Sequence, residues 1–574
     1  MKPWWERFPG RVDREIASLD SHGIAYKRDE LAWRQGQLVL ELAITFSGRE
    51  AVHLVAHYPY TFPYTRFEVV AADLVLPRHQ NPFGKNLCLM GRASSNWSVH
   101  DTLGDVLMAQ LPQLVRFATE DPANLRELEE PQGEPITDFY AYHPDTAVFV
   151  DSNWKFDPTI ARGKLKLTFS SVLPFRGAVT EVLDSNGKAL AQADELFSCI
   201  FTQATRGRWV RWETPIVETD LKRLLATISA RHPDIGQTSF SAKRGFERGK
   251  PEVLGIVFPE ESEQGKQQDA WLFLVRTAES WHLARSCRAG PHDLASRAPE
   301  LVALRSKRVT AIGLGSVGAP SAIELARSGV GLLKLVDHDF MEAGTSSRWP
   351  LGLSATGRSK VESIAEFIAQ NYPYTKAEKF YGMVGRGQRA PAPHYCDSRD
   401  LERVLETDLI LDGTAESGIQ LLLSDLAAER GIAFVCASTT PGARGGLVFR
   451  QLPGPERACW SCLQHAMAEG SIPTPLHDTR GMLQPAGCAS PTFTGAGVDV
   501  QVVSLMAART AIATLCAGTE DGYPDVNWNV AIVTLRSPDG GLIPPQWMVT
   551  TIGRHPNCRN EKAHGQDLAT RRAA

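Results

Sequence analysis

Glycines at an apolar strand end and cysteines in several unlike settings are the residues of this chain whose types and spacing do chemistry. Val309-Thr310-Ala311-Ile312 leads into Gly313-Leu314-Gly315-Ser316-Val317-Gly318, and a helix is predicted over Ser321 to Ser328. A second apolar run, Leu332 to Val336, ends in Asp337, 19 residues beyond Gly318. Strand, glycine loop, helix, strand and acidic residue is the order of a nucleotide site. The glycines let backbone N–H groups approach phosphates, the helix N-terminus favours their charge, and the acid suits ribose hydroxyls. The same glycines also serve a tight turn that holds no ligand, and the fingerprint alone leaves both readings open.

Beyond Asp337 come Asp339, Arg348 and Gly357-Arg358-Ser359-Lys360, the last opening a helix. Fixed cations beside such a loop suit a polyphosphate better than a nicotinamide. Surface ion pairing is their plain alternative. A later apolar strand, Leu409-Ile410-Leu411-Asp412, places a carboxylate where a magnesium ion would sit at the sheet edge. Cys459-Trp460-Ser461-Cys462 and His555-Pro556-Asn557-Cys558 together offer four ligands for a closed tetrahedral Zn2+ site. Reduced, unliganded thiols are the competing reading. Cys488 lies in a loop of small residues before an apolar helix predicted over Val498 to Leu515. An open-loop thiol is readily deprotonated and reaches a reactive carbonyl, whereas a buried structural cysteine does neither. Cys516, after that helix, is the second candidate, and Cys199, Cys287, Cys396 and Cys436 are assigned no role.

The elements that must position these groups fall into three blocks in a chain of 574 residues, a length that suggests roughly three or four domains. Residues 1–130 read as α+β. A helix is predicted over Trp5 to Leu19 and another over Thr102 to Phe117, with strands near Leu38 to Phe46, Ala51 to His57 and Phe67 to Val70. Glu127 to Pro135 reads as a linker. Residues 136–300 read as a mixed α/β spacer or docking domain, with short strands, a helix over Thr219 to Ser229, and a solvated charged loop from Glu260 to Gln268. Residues 301–574 alternate strand and helix in doubly wound, Rossmann-like style. A net charge of -4 gives no support for nucleic-acid binding. No apolar run is read as reaching the roughly 20 residues that span a bilayer. The N-terminus lacks a signal peptide's apolar core, and ten cysteines are too sparse for a disulfide scaffold, so a cytoplasmic location is expected.

Residues 301–560 resemble the adenylation domain of the ubiquitin-activating family, which includes the ThiF and MoeB sulfur-carrier activators. Gly313, Gly315, Gly318, Asp337, Asp339, Arg348 and Lys360 occupy that family's glycine, Asp-x-Asp, arginine and lysine places. The resemblance implies that Asp337 holds the ribose of ATP and that Arg348 and Lys360 hold its phosphates. It also implies a homodimer, and a thioester on Cys488. Two places depart from the family. Gly344-Thr345 stands for its Ser-Asn, and Ala415 for its magnesium aspartate, leaving Asp412 or Glu416 for Mg2+.

His79-Gln80-Asn81, Cys88 and Asn96-Trp97-Ser98, followed by a helix, resemble the ubiquitin-conjugating fold over residues 1–120. That resemblance makes Cys88 the conjugating nucleophile and Asn81 the group that polarises the oxyanion, and an inactive fold with an incidental cysteine is its alternative. The domain order resembles bacterial conjugation fusions of CBASS antiviral operons and related ubiquitin-like operons. It implies that a ubiquitin-like or nucleotide-cyclase-like protein is activated at its C-terminal tail and joined to an amine acceptor. A sulfur-carrier adenylyltransferase and a non-catalytic scaffold remain as other readings.

Overall fold

Alternating apolar residues build the first sheet. In β2 (Leu38–Ile44), Leu38, Leu40, Leu42 and Ile44 turn inward while Glu41 turns out. β2 pairs antiparallel with β1 (Ala25–Arg28) and β3 (Val52–Tyr58), and β3 with β4 (Glu68–Val70), giving the order β1-β2-β3-β4. The apolar face is covered by helices Arg11–Ser21 and Leu103–Thr119, through Leu19, Leu103, Leu107, Leu111 and Leu114. The helix predicted over Trp5 to Leu19 is two helices, Trp4–Arg7 and Arg11–Ser21, because Gly10 between them has φ 77°. The computed structural model describes residues 2–45, 51–76, 78–91, 96–119, 133–172, 174–193, 200–233, 251–263, 266–277, 280–385, 398–484 and 492–564.

The middle block is mainly β. Its strands are β5 (Ala147–Val150), β6 (Arg162–Val172), β7 (Phe175–Asp184), β8 (Ala189–Gln192), β9 (Gln203–Arg211), β10 (Glu252–Glu263), β11 (Lys266–Thr277) and β12 (Ser280–Arg288). They run in the order β5-β12-β11-β10-β9-β6-β7-β8. β5 also pairs with β7, so the sheet closes on itself. Leu165, Leu167, Phe169, Trp209, Val257 and Phe273 form one core of this barrel. A second core packs helix Leu221–Arg231, Ile136 and Tyr140 against Leu254, Ile256 and Leu272. Residues 260–263 and 266–268, within a stretch expected to be a solvated loop, are paired ends of β10 and β11. Glu260 is buried and accepts from Thr137 Oγ1 at 2.8 Å. Cross-strand pairing satisfies the backbone there, and charge alone is a poor guide to loops.

The chain divides into two compact units. Both sheets above lie in the first, Met1–Ala193 with Phe201–Arg288, and the second comprises chiefly Ala289–Ala574. The second is organised by a twisted sheet of β13 (Arg308–Ile312), β14 (Leu332–Asp337), β15 (Lys376–Tyr381), β16 (Leu409–Asp412), β17 (Ala433–Thr439) and β18 (Gly445–Gln451). A hairpin of β19 (Met482–Leu483) and β20 (Thr492–Phe493) stands apart, and β21 (Val530–Arg536) and β22 (Leu542–Thr550) complete the sheet. The order is β15-β14-β13-β16-β17-β18-β21-β22. The first five are parallel and the rest antiparallel. From β13 the chain winds outward first one way and then the other, so the switch point lies between β13 and β16. Helix Gly497–Cys516 has the length and apolar character to cross a membrane, against the expectation of no such run. Here it lies on the sheet beside helix Gly318–Arg327, burying Val500, Val503, Ala507 and Ala511.

Candidate nucleotide and thiol sites

The glycine loop emerges at that switch point. Gly313 has φ 80°, and a β-carbon there would meet Thr414 N at 2.7 Å. A β-carbon on Gly318 would lie 1.9 Å from the Gly313 carbonyl oxygen. These two glycines are therefore required by the turn itself. Gly315 differs, since a β-carbon there would meet no atom of the described residues within 4 Å. Packing among the described residues does not explain it, and those residues leave space over the loop at that point.

Asp337, at the end of β14, is buried. Its Oδ2 accepts from Leu314 N at 2.6 Å and its Oδ1 from Asp339 N at 2.8 Å. The carboxylate thus shapes the glycine loop and the turn that follows β14. Asp339 forms an ion pair with Lys360, whose side chain is 13% exposed. Burial pushes the Asp339 carboxyl up, but hydrogen bonding and charge from Lys360 outweigh this and hold it below the usual carboxylate range. Trp349, which no local sequence pattern singles out, donates its indole N–H to the Leu314 carbonyl at 2.9 Å and so pins the loop from within the core. Its neighbour Arg348 donates to the Phe493 carbonyl and, at 2.8 Å, to Thr492 Oγ1, and lies 4.3 Å from the Phe493 ring centre. Arg348 is therefore tied to the β19–β20 hairpin. The loop closing that hairpin carries Cys488, which lies outside the described residues. Cys516, the second candidate, is buried, and burial pushes its thiol up.

Asp412 is fully buried at the end of β16. Its Oδ1 accepts from Thr414 N at 2.8 Å, Oδ2 has no hydrogen-bond partner among the described residues, and burial pushes its carboxyl up to about 6. This is an interior carboxyl group and a poor fit to a hydrated magnesium ion. Glu416 is the exposed carboxylate beside it, preceding helix Ser417–Arg430. Ala415, at the family's aspartate position, has φ 57°.

Four buried residues, Cys459, Cys462, Cys558 and His564, converge with their ligand atoms within 4.8 Å of one another. His564 Nε2 is 3.5 Å from Cys459 Sγ and 3.3 Å from Cys462 Sγ. Its Nδ1 is 2.8 Å from the Pro455 carbonyl, which fixes Nδ1 as the donor and turns Nε2 to the thiols. The donor set fits tetrahedral Zn2+. The fourth member is His564, not the expected His555. His555 places Nε2 2.9 Å from Glu469 Oε2, stacks on His465, and contributes only a backbone N–H to Cys462 Sγ at 3.3 Å.

In the first unit Cys88 is exposed. Asn81 Oδ1 accepts from Phe83 N and Gly84 N, both at 2.9 Å, so its amide orients the loop ahead of Cys88. Gln80 is buried. It accepts from Leu76 N at 2.9 Å and donates to the Ala71 and Leu74 carbonyls at 2.9 and 2.8 Å. Trp97 donates to the Pro63 carbonyl at 2.8 Å and packs on Phe62 and Phe67.

Glycine loop, switch point and acidic strand end define a Rossmann-like nucleotide domain, and residues 293–547 match the ThiF family. Over 587 aligned residues the chain is 30% identical to the uncharacterized protein y4oA of Sinorhizobium fredii, covering 97% of both. It therefore belongs to the family of y4oA, with a ThiF-family adenylation domain as its C-terminal half. It is also 30% identical over 196 residues to the adenylyltransferase and sulfurtransferase uba4 of Aspergillus niger, covering 32% of this chain and 38% of that protein. Among solved structures, E. coli MccB with ATP aligns at 17% identity and TM-score 0.33 over 45% of this chain and 68% of that one, an overlap too loose to add to the topology above.

Proposed function

We propose that this protein uses ATP to activate the C-terminal carboxylate of a partner protein and passes the acyl group through thioesters to an amine. The observation that carries the reading is the glycine loop. Among the described residues Gly315 leaves open space that packing does not require, and Asp337, Lys360 and Arg348 lie on the elements around it. Lys360 would exchange Asp339 for phosphate oxygens, and Asp337 would keep the loop's N–H groups aimed at them. The partner's carboxylate oxygen attacks the α-phosphorus, pyrophosphate leaves, and a mixed anhydride remains. Magnesium, arriving with ATP, would neutralise phosphate charge, and Asp339 and Glu416 are exposed carboxylates on the turns that follow β14 and β16. The Cys488 thiolate then attacks the acyl carbon and AMP departs. Cys88 takes the acyl group by thiol exchange, and an amine displaces Cys88 to leave an amide.

The ubiquitin-conjugating reading of residues 1–130 is supported by the four-stranded meander, the flanking helices and the exposed Cys88. Zinc would tie the C-terminal residues 558 and 564 to the helix starting at Trp460, a structural task. We further infer a homodimer working in the cytoplasm, the partner being a ubiquitin-like or nucleotide-cyclase-like protein and the setting antiviral defence. A second reading, sulfur-carrier adenylation, is favoured by the similarity to uba4 and leaves Cys88 without a task.

Incubation with ATP, magnesium and operon-encoded proteins should give partner-dependent ATP–pyrophosphate exchange. Non-reducing gels should show a thiol-labile adduct that is lost in Cys88→Ala. Exchange without any adduct on Cys88 would favour the sulfur-carrier reading, and no exchange with any partner would exclude adenylation.

A further inference from the structure

The loop that carries Cys88 is held from outside its own sheet. Its first turn has His79 at φ 59°, a left-handed conformation that a residue with a β-carbon keeps only when its surroundings hold it there. Glu134 does the holding. Its two carboxylate oxygens accept the His79 backbone N–H at 2.9 and 2.7 Å, and Oε1 is 3.0 Å from His79 Nδ1. Glu134 is fixed in turn, since its backbone N–H donates to Glu261 Oε2 at 3.1 Å, while Glu261 Oε1 accepts from Arg78 at 3.1 Å. Farther along the loop, Phe83 packs on Tyr140 with ring centres 4.9 Å apart and joins the apolar cluster outside the barrel. Within the loop, the His79 carbonyl accepts from Cys88 N–H at 2.8 Å. One residue therefore separates the Glu134 carboxylate from the backbone of Cys88. Burial pushes the Glu134 carboxyl up, but its bonds to His79 outweigh this and hold it ionised below the usual range.

We propose that Glu134, braced by Glu261 and assisted by Tyr140, is a positioning residue that sets the shape of the Cys88 loop for acyl transfer. This gives the barrel a task, and it rests on reading Cys88 as an acyl carrier. Glu134 touches no reacting atom and acts through the His79 backbone. Its charge-assisted pair of bonds is the type that fixes geometry as well as adding energy.

The test uses the full chain with Glu134→Ala, Glu134→Gln and Phe83→Ala. Hydrogen exchange across residues 78–90 should accelerate about tenfold or more in Glu134→Ala. Glu134→Gln, which keeps an acceptor oxygen, should fall between it and the wild type. Discharge of the Cys88 thioester at saturating amine should slow by about tenfold in Glu134→Ala and recover in part in Glu134→Gln. Exchange at the wild-type rate across 78–90 in Glu134→Ala and Phe83→Ala overturns the clamp, whatever becomes of the thioester. Accelerated exchange with no thiol-labile adduct on wild-type Cys88 overturns the acyl-carrier reading instead, and the positioning role with it. If Glu134→Ala does not fold, the Gln and Phe83 variants carry the same readouts.

Discussion

Cys459, Cys462 and Cys558 in the second unit and Cys88 in the first are one chemical group in opposite settings. The three are buried, converge on one point, and have an imidazole turned toward them. Cys88 is exposed at the end of a loop whose neighbours spend their polar groups on one another. Convergence with burial suits a thiol to bind a metal, while exposure on a fixed loop suits one to react. Asp412 supplies a third case, burial without convergence, and its carboxyl is pushed toward its neutral form.

The largest effect should come from breaking the convergent site. Cys462→Ser or a strong chelator should remove zinc and destabilise the second unit by several kcal/mol, the scale of structural zinc sites being about 10 kcal/mol or more. His564→Ala should do likewise and His555→Ala should keep the metal; equal zinc content by mass spectrometry in the two would reject the ligand set. Next, Lys360→Ala should lower ATP–pyrophosphate exchange by about a hundredfold. Gly315→Val should leave the melting temperature nearly unchanged, because no described residue crowds the site, while raising the ATP KM by about tenfold. A melting shift equal to that of Gly318→Val would refute the distinction between the two glycines.

Asp412 gives a smaller effect with a defined sign. Its folded value of about 6 lies above the ordinary carboxyl value, so the fold favours the protonated form. Its contribution to stability is complete below about pH 4 and is lost as pH rises through about 6, a change on the order of 2–3 kcal/mol. Asp412→Asn should flatten that slope in denaturant unfolding between pH 4 and 8; parallel curves for the two proteins would show that Asp412 carries none of it. The smallest effect belongs to Cys88→Ser, which should shift stability by less than about 0.5 kcal/mol, since the side chain is exposed. A larger shift would mean that Cys88 is a packing residue.

The glycine loop, Asp337 and Lys360 were legible because their signals are local: a strand, a turn and a helix start written in consecutive residues. The meander was legible from the alternation in Leu38 to Ile44. His564 was not, because the spacing before Cys558 pointed to His555, and only the chain's turn after Cys558 brings the later histidine inward. Trp349 and Glu134 were missed for a related reason. Each acts through one bond to a distant backbone group, Leu314 and His79, and no pattern of neighbouring residues records such a contact. The barrel was hidden by its charged hairpin, where Glu260 and Glu261 face partners far away in sequence.

The position of Glu134 bears on how portable the first domain is. A fragment ending at residue 130, where composition suggests a border, would keep Asn81, Cys88 and Trp97 and lose the carboxylate that braces their loop. Such a fragment would hold its meander and its helices and yet present its thiol on a slack turn. For engineering, the part to move intact is then the meander together with the barrel, and a graft of the first block alone would carry Cys88 without the contacts that shape its loop.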